Sequence, residues 1–173
     1  MSKAVLVSIN PKWCAKIASG RKTMELRKSK PKLAEPFKCY IYETKIGLRS
    51  KSHENDILVP YKYAGKVIGE FVCDNIMRQC QMQNADLAEQ QSLVKRERIF
   101  EYANGKEVYG WHISDLKIYD TPKKLEEFLK PCPYGDVSCF LCDKSGYTPE
   151  MKIDCCNNVT RPPQSWCYVE DVQ

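Results

Sequence analysis

The stretch Ser19-Gly20-Arg21-Lys22-Thr23-Met24-Glu25-Leu26-Arg27 decides how this chain is read. Gly20 is a helix stop, and the residues after it alternate between polar and apolar. A side-chain period of two marks a strand, sending Thr23, Glu25 and Arg27 to one face and Met24 and Leu26 to the other. Upstream, Asn10 and Pro11 read as an N-cap and a first helical residue, with Trp13 and Ile17 one turn apart. A helix therefore delivers a strand whose polar face holds a hydroxyl, a carboxylate and a guanidinium, with the Lys22 ammonium at its entrance. Such a set builds either a nucleic-acid contact or a small catalytic centre.

Working outward, residues 5–9 read as a first strand, and residues 38–44, rich in aromatic and β-branched side chains, as a third. Pro31 and Pro36 bracket a basic loop, and residues 47–64 read as an exposed polar one. Residues 66–73 carry the strongest strand signal. Asn84 caps a helix expected from residue 85 to about residue 102, ended by Asn104-Gly105. Residues 108–118 read as extended, and Thr121-Pro122 as the start of a short helix with Leu125, Phe128 and Leu129 inward. Arg161-Pro162-Pro163 reads as a turn into a closing strand. About six short strands with three short helices predict an α+β fold around a curved or barrel-like mixed sheet.

The chain of 173 residues, 43% hydrophobic, has room for one domain with a real core and a small appendage. We expect a main domain over residues 1–130 and a Cys-rich extension over 131–173 whose closing strand returns to the sheet. No apolar run approaches the ~20 residues needed to cross a bilayer. The first eight residues are too short and too alternating for a secretory signal, so a soluble, cytoplasmic protein is expected. The net charge of +5 is uneven: residues 16–51 hold 11 Lys and Arg against 3 Glu. That local surplus surrounds the opening motif and suits an anionic partner, nucleic acid first, with a solvated basic loop as an equal alternative on composition.

Without a secretory signal, the ten cysteines read as thiols. Cys14, Cys39 and Cys73 fall inside expected helix or strand and read as core residues. Cys139-x-x-Cys142 has the spacing of a metal knuckle, with Cys132 before it and Cys155-Cys156 after it. Cys132, Cys139, Cys142 and Cys155 are thus candidate ligands for a structural zinc, set against unliganded thiols.

The capped helix ending in Ser19-Gly20-Arg21-Lys22-Thr23, the Glu25-x-Arg27 pair, the basic loop and the later Gly65-Lys66-Val67-Ile68-Gly69-Glu70 strand together resemble the ASCH domain of the PUA-like superfamily. The core of the match is Gly20-x-Lys22-x-x-Glu25-x-Arg27, and it covers residues 4–120 and the closing strand. The resemblance implies a small PUA-like mixed β-barrel with short helices at its openings, a cleft beside the motif and an association with RNA. Some small bacterial members are hydrolases, one group removing the acyl group from N4-acetylcytidine and another cleaving RNA. In the amidohydrolase group a lysine, a threonine and a glutamate are assigned to catalysis. The lysine carries over to Lys22, the threonine position is Glu25 here, and the glutamate falls near Glu89 to Gln91.

Lys22 is a base only where burial or a neighbouring cation lowers its pKa, and Arg21 and Arg27 are the cations at hand. Glu25 and Arg27, on one strand face, form an ion pair that either holds a cleft open or presents the arginine to a phosphate or base. Glu70 shares a strand face with Ile68 and Val72 and is a further carboxylate candidate. The candidate catalytic residues are therefore Lys22, Glu25 and Glu70. The candidate ligand-binding residues are Arg21, Lys22, Thr23, Glu25, Arg27, Lys28, Tyr61 and Tyr63. Tyr40, Tyr42, Trp111 and Trp166 read mainly as core aromatics, and His112 as structural. The expected function is binding of RNA or a modified nucleoside, with hydrolysis of such a nucleoside or of RNA as the alternative. A protein-interaction module is a third reading.

Overall fold

The computed structural model describes residues 2–45, 63–131 and 157–171. In chain order these form β1 (Lys3–Ile9), α1 (Pro11–Ala18), β2 (Met24–Arg27), β3 (Phe37–Glu43), β4 (Val67–Cys73) and β5 (Ile76–Met77). There follow α2 (Ala85–Ser92), α3 (Arg96–Ala103), β6 (Tyr109–His112), β7 (Ser114–Lys123), a 3-10 turn at Leu125–Glu127 and β8 (Trp166–Glu170). Five strands make a sheet of order β7-β4-β3-β1-β8, and three make a sheet of order β2-β6-β5. With three short helices among the described residues, the fold is α+β with mixed sheets, as expected. None of the described helices is long and apolar enough to cross a membrane. Tyr61 and the candidate zinc ligands Cys132, Cys139, Cys142 and Cys155 lie outside the described residues.

The chain divides into two compact units. The first comprises Met1–Pro11, Tyr40–Gly69 and Tyr119–Gln173; the second comprises Lys12–Cys39 and Glu70–Ile118. In the first unit, β8 pairs antiparallel with β1, from Lys3 opposite Glu170 to Val7 opposite Trp166. Its core packs Leu6, Tyr40, Tyr42, Phe128 and Val169. Tyr40 meets Phe128 edge-on, with centroids 4.9 Å apart, and its hydroxyl donates to Asp171 Oδ1 at 2.7 Å. Such a polar tip satisfied at the core boundary is how a buried tyrosine avoids a desolvation cost. The helix expected from Thr121-Pro122 is instead the end of β7, followed by the 3-10 turn. Pro122 has no N–H to donate and is tolerated there because β7 is an edge strand.

In the second unit, β2 pairs antiparallel with β6, and β5 flanks β6 on its other side. Met24 and Leu26 point into a core with Cys80, Ala88, Ile99 and Val108. Leu26 lies opposite Gly110, and a Cβ on Gly110 would run into Met24 Sδ and Cys80 Sγ. Glycine is thus required there by close approach. Gly20, in contrast, has open space around it and is required by its backbone, with φ at +71°.

The single helix expected over residues 85–102 is two helices. Leu93 adopts the left-handed conformation, φ 58°, and its N–H returns to the Glu89 carbonyl. Lys95 is extended at φ −57°, ψ 143°. Ser92 Oγ accepts from the Val94 N–H at 3.2 Å, a local bond that competes with helix continuation. The break frees the Gln91 and Ser92 carbonyls, which an unbroken helix would commit to residues four further on.

Candidate functional site

The site lies within the second unit and begins at the end of α1. Gly20 N–H bonds to Ile17 O at 2.8 Å, and the N–H groups of Arg21 and Lys22 both reach Lys16 O at 3.0 Å. This wrapped terminus turns the chain directly into β2. Thr23 N–H then bonds to Gln91 O at 3.0 Å, and Thr23 O accepts from Ile113 N–H at 2.9 Å. The strand entrance is therefore pinned between the C-terminus of α2 and the start of β7.

The alternation read from the sequence holds, but both faces of β2 are buried. Lys22 is 2%, Glu25 7% and Arg27 8% exposed. Lys22 Nζ lies 3.3 Å from Glu25 Oε2, and Arg27 NH2 lies 2.9 Å from Glu25 Oε1, so one carboxylate bridges two cations. Lys22 Nζ also donates to Ser92 O at 2.9 Å, one of the carbonyls freed by the break between α2 and α3. Its position at a helix C-terminus is favourable for a cation. On its remaining side, Nζ stands 5.0 Å from the centroid of Trp13.

Burial lowers the Lys22 pKa from its ordinary 10.5. Glu25 opposes that shift through its charge and hydrogen bond, while Arg27 and Lys16 add to it. The result is a buried amine that gives up its proton more readily than a surface lysine. The cluster can hold a proton on either Lys22 or a ligand, and it presents more positive than negative charge.

Around the cluster, two partly exposed aromatics carry cations on their faces. Lys16 and Lys12 stand 4.7 and 5.6 Å from the Trp13 centroid, in addition to Lys22. Lys28 stands 4.7 Å from the Tyr102 centroid. Burial raises the Tyr102 pKa; Arg27 opposes the rise and Glu25 adds to it, which places this ring within electrostatic reach of the cluster.

Of the residues singled out in the sequence, Lys22, Glu25 and Arg27 are joined by direct contacts, and Thr23 is held through its backbone. Arg21 and Lys28 are exposed at either end of the segment. Glu70 is half-buried on β4, and Tyr63 sits in a turn of the first unit where its carbonyl accepts from Lys66 N–H at 3.0 Å. Near Glu89 to Gln91, it is backbone carbonyls, from Gln91 and Ser92, that reach the strand entrance. Tyr40, Tyr42 and Trp111 are core residues. His112 has a partner that the sequence did not reveal, Asp74 Oδ1 at 2.6 Å from its Nδ1.

Sequence reading missed Trp13 and Tyr102 as members of the site. Trp13 looked like the apolar face of α1, yet it is only half-buried. Its flanking lysines, one before it and one a turn after it, were the available signal. Tyr102 carried none, because only the break after α2 sets where α3 lies.

The arrangement of strands and helices is that of solved ASCH structures. The crystal structure of ASCH from Zymomonas mobilis aligns with a TM-score of 0.60 at 16% identity, covering 96% of this chain and 87% of that one. A serine-to-alanine mutant of the same protein gives 0.60 at 16% over 96% and 88%. A tyrosine-to-phenylalanine mutant gives 0.60 at 17% over 98% and 91%. At these identities the likeness defines the fold. No family model and no curated protein matches the sequence.

Proposed function

We propose that the protein binds RNA or a modified nucleoside at the Lys22–Glu25–Arg27 cluster of its second unit. One observation carries this reading: a single buried carboxylate is shared by two buried cations. Desolvating a second cation beside one carboxylate is costly, and the three side chains together carry a formal net positive charge. A ligand with acceptor oxygens, such as a phosphate or a pyrimidine carbonyl, complements the surplus charge. The local basic excess of residues 16–51 supplies the surrounding field.

Titration of wild-type protein with a short labelled RNA and with cytidine, between about 50 mM and 200 mM salt, tests the reading. RNA affinity should fall steeply with salt. Absence of binding by both ligands at the lower salt overturns it.

A second reading rests on the lowered Lys22 pKa. With Glu25 at 3.3 Å to exchange the proton, Lys22 can serve as a general base in hydrolysis of N4-acetylcytidine or of RNA. Activity would rise with pH as Lys22 loses its proton, with the rise centred below 10.5. An assay of acetate release and of RNA cleavage across pH decides it; no product from either substrate excludes hydrolysis of both.

A further inference from the structure

Two successive carbonyls at the end of α2 hold two successive residues at the entrance of β2. Gln91 O accepts from the Thr23 N–H at 3.0 Å, and Ser92 O accepts from Lys22 Nζ at 2.9 Å. In a continuous helix the N–H groups of Lys95 and Arg96 would claim both carbonyls. Their release therefore depends on whatever stops α2 at Ser92. Resting on the reading of the Lys22–Glu25–Arg27 cluster as the functional site, we propose that Ser92 is its positioning residue. The Ser92 hydroxyl ends α2 and thereby turns the Ser92 carbonyl onto Lys22.

Local sequence gives the helix little other reason to stop there. The stretch Gln91-Ser92-Leu93-Val94-Lys95 contains neither glycine nor proline. Leu93 takes the left-handed conformation, φ 58°, which an L side chain adopts only against a steric cost. The Ser92 side chain is placed to offset that cost. It is fully buried, and its Oγ accepts from the Val94 N–H at 3.2 Å. In a continuous helix that N–H would go to Gln90 O, so the hydroxyl replaces the helical acceptor. Lys22 feels the outcome as a change in proton affinity. Its ammonium is faced by Glu25 and Arg27 from β2, by Lys16 from α1 and by the Ser92 carbonyl from α2. Tyr102 of α3 is within electrostatic reach of Arg27 and Glu25. A neutral acceptor on Nζ favours the protonated amine. The carbonyl thus works with Glu25 against burial, Arg27 and Lys16.

NMR of the full chain with isotope-labelled lysine follows the titration of Lys22, whose signal is assigned by its loss in Lys22→Met. Ser92→Ala leaves the Val94 N–H without its acceptor and favours continuation of α2. Lys22 should then titrate at a lower pH than in the wild type. Ser92→Thr keeps the hydroxyl and should keep the wild-type titration. Adding Leu93→Gly to Ser92→Ala supplies a residue that takes the left-handed conformation without steric cost. The double variant should therefore return Lys22 toward its wild-type titration although the hydroxyl is absent. A serine that served stability alone would give no such rescue. An unchanged Lys22 titration in folded Ser92→Ala overturns the proposal, as does a shift that Leu93→Gly fails to reverse. If Ser92→Ala does not fold, Ser92→Cys decides: its thiol is close in size but a weak acceptor, so it should shift Lys22 in the same direction. No shift there overturns the proposal equally. Cytidine and a short RNA are titrated against the same proteins. If the wild type binds neither, the binding reading falls, while a shifted and rescued Lys22 still upholds the role of Ser92. If both bind but Lys22 ignores the substitutions, only the role of Ser92 falls.

Discussion

Replacing Glu25 by glutamine keeps the shape of the side chain and removes the carboxylate that Lys22 and Arg27 share. The two cations then face a neutral amide in a place where all three residues are at most 8% exposed. Deleting one partner of a buried ion pair costs about 3–5 kcal/mol. At about 2–4 °C per kcal/mol for a chain of this size, the melting temperature should fall by about 6–20 °C. Lys22→Met makes the informative contrast. It removes a cation that burial already disfavours and leaves Glu25 with Arg27 at 2.9 Å. Its main loss is the donor to Ser92 O, which costs about 1–3 kcal/mol if that carbonyl is left unpaired. Glu25→Gln should therefore be the more damaging of the two. A pH dependence provides the second readout. The folded-state pKa of Lys22 is lowered, so between that value and 10.5 the unfolded chain binds more protons than the folded one. Stability of the wild type relative to Lys22→Met should then rise with pH in that window. Urea denaturation of the three proteins across the alkaline range measures both effects. Equal destabilisation by the two substitutions, or a pH-independent difference, refutes this account of the cluster.

Gly110→Ala should cost about 1–3 kcal/mol, because its Cβ meets Met24 and Cys80; an unchanged denaturation midpoint would contradict the packing described. Gly20→Ala, where there is space but the backbone is left-handed, should cost about 1 kcal/mol. Burial pushes the Cys73 thiol up to about 12 and the Cys80 thiol up to about 11, and it raises the Cys39 thiol well above the ordinary 9.0. These three should resist alkylation of native protein near neutral pH and react once it is unfolded; mass spectrometry showing fast native labelling at Cys39 or Cys73 would count against their burial. The hydrogen bond from His112 lowers the Asp74 pKa from 3.8, and His112→Ala should move it back toward that value by NMR titration. Zinc at the C-terminal cysteines remains a proposal from sequence, and metal content well below one ion per chain in purified protein would end it.

Local pattern carried a large share of this protein. The two-residue alternation after Gly20 specified the strand and its faces, because side-chain direction follows from backbone geometry alone. Residues 5–9, 38–44 and 66–73 were legible as strands from their apolar, aromatic and β-branched content, and with the short helices they indicated an α+β fold. What the sequence could not reveal was depth. Lys22, Glu25 and Arg27 were expected to line a cleft, and only chain packed against β2 made them a buried cluster with a readily deprotonated lysine. Ser92 lies 70 residues from Lys22, and no periodicity predicts that its carbonyl meets that ammonium. The break at Leu93 had no proline or glycine to announce it, yet it frees that carbonyl and sets where α3 carries Tyr102. Chain geometry over a few residues decides which way a side chain points. Desolvation and charge partners depend on distant chain, so the chemistry of this site belongs to the tertiary structure.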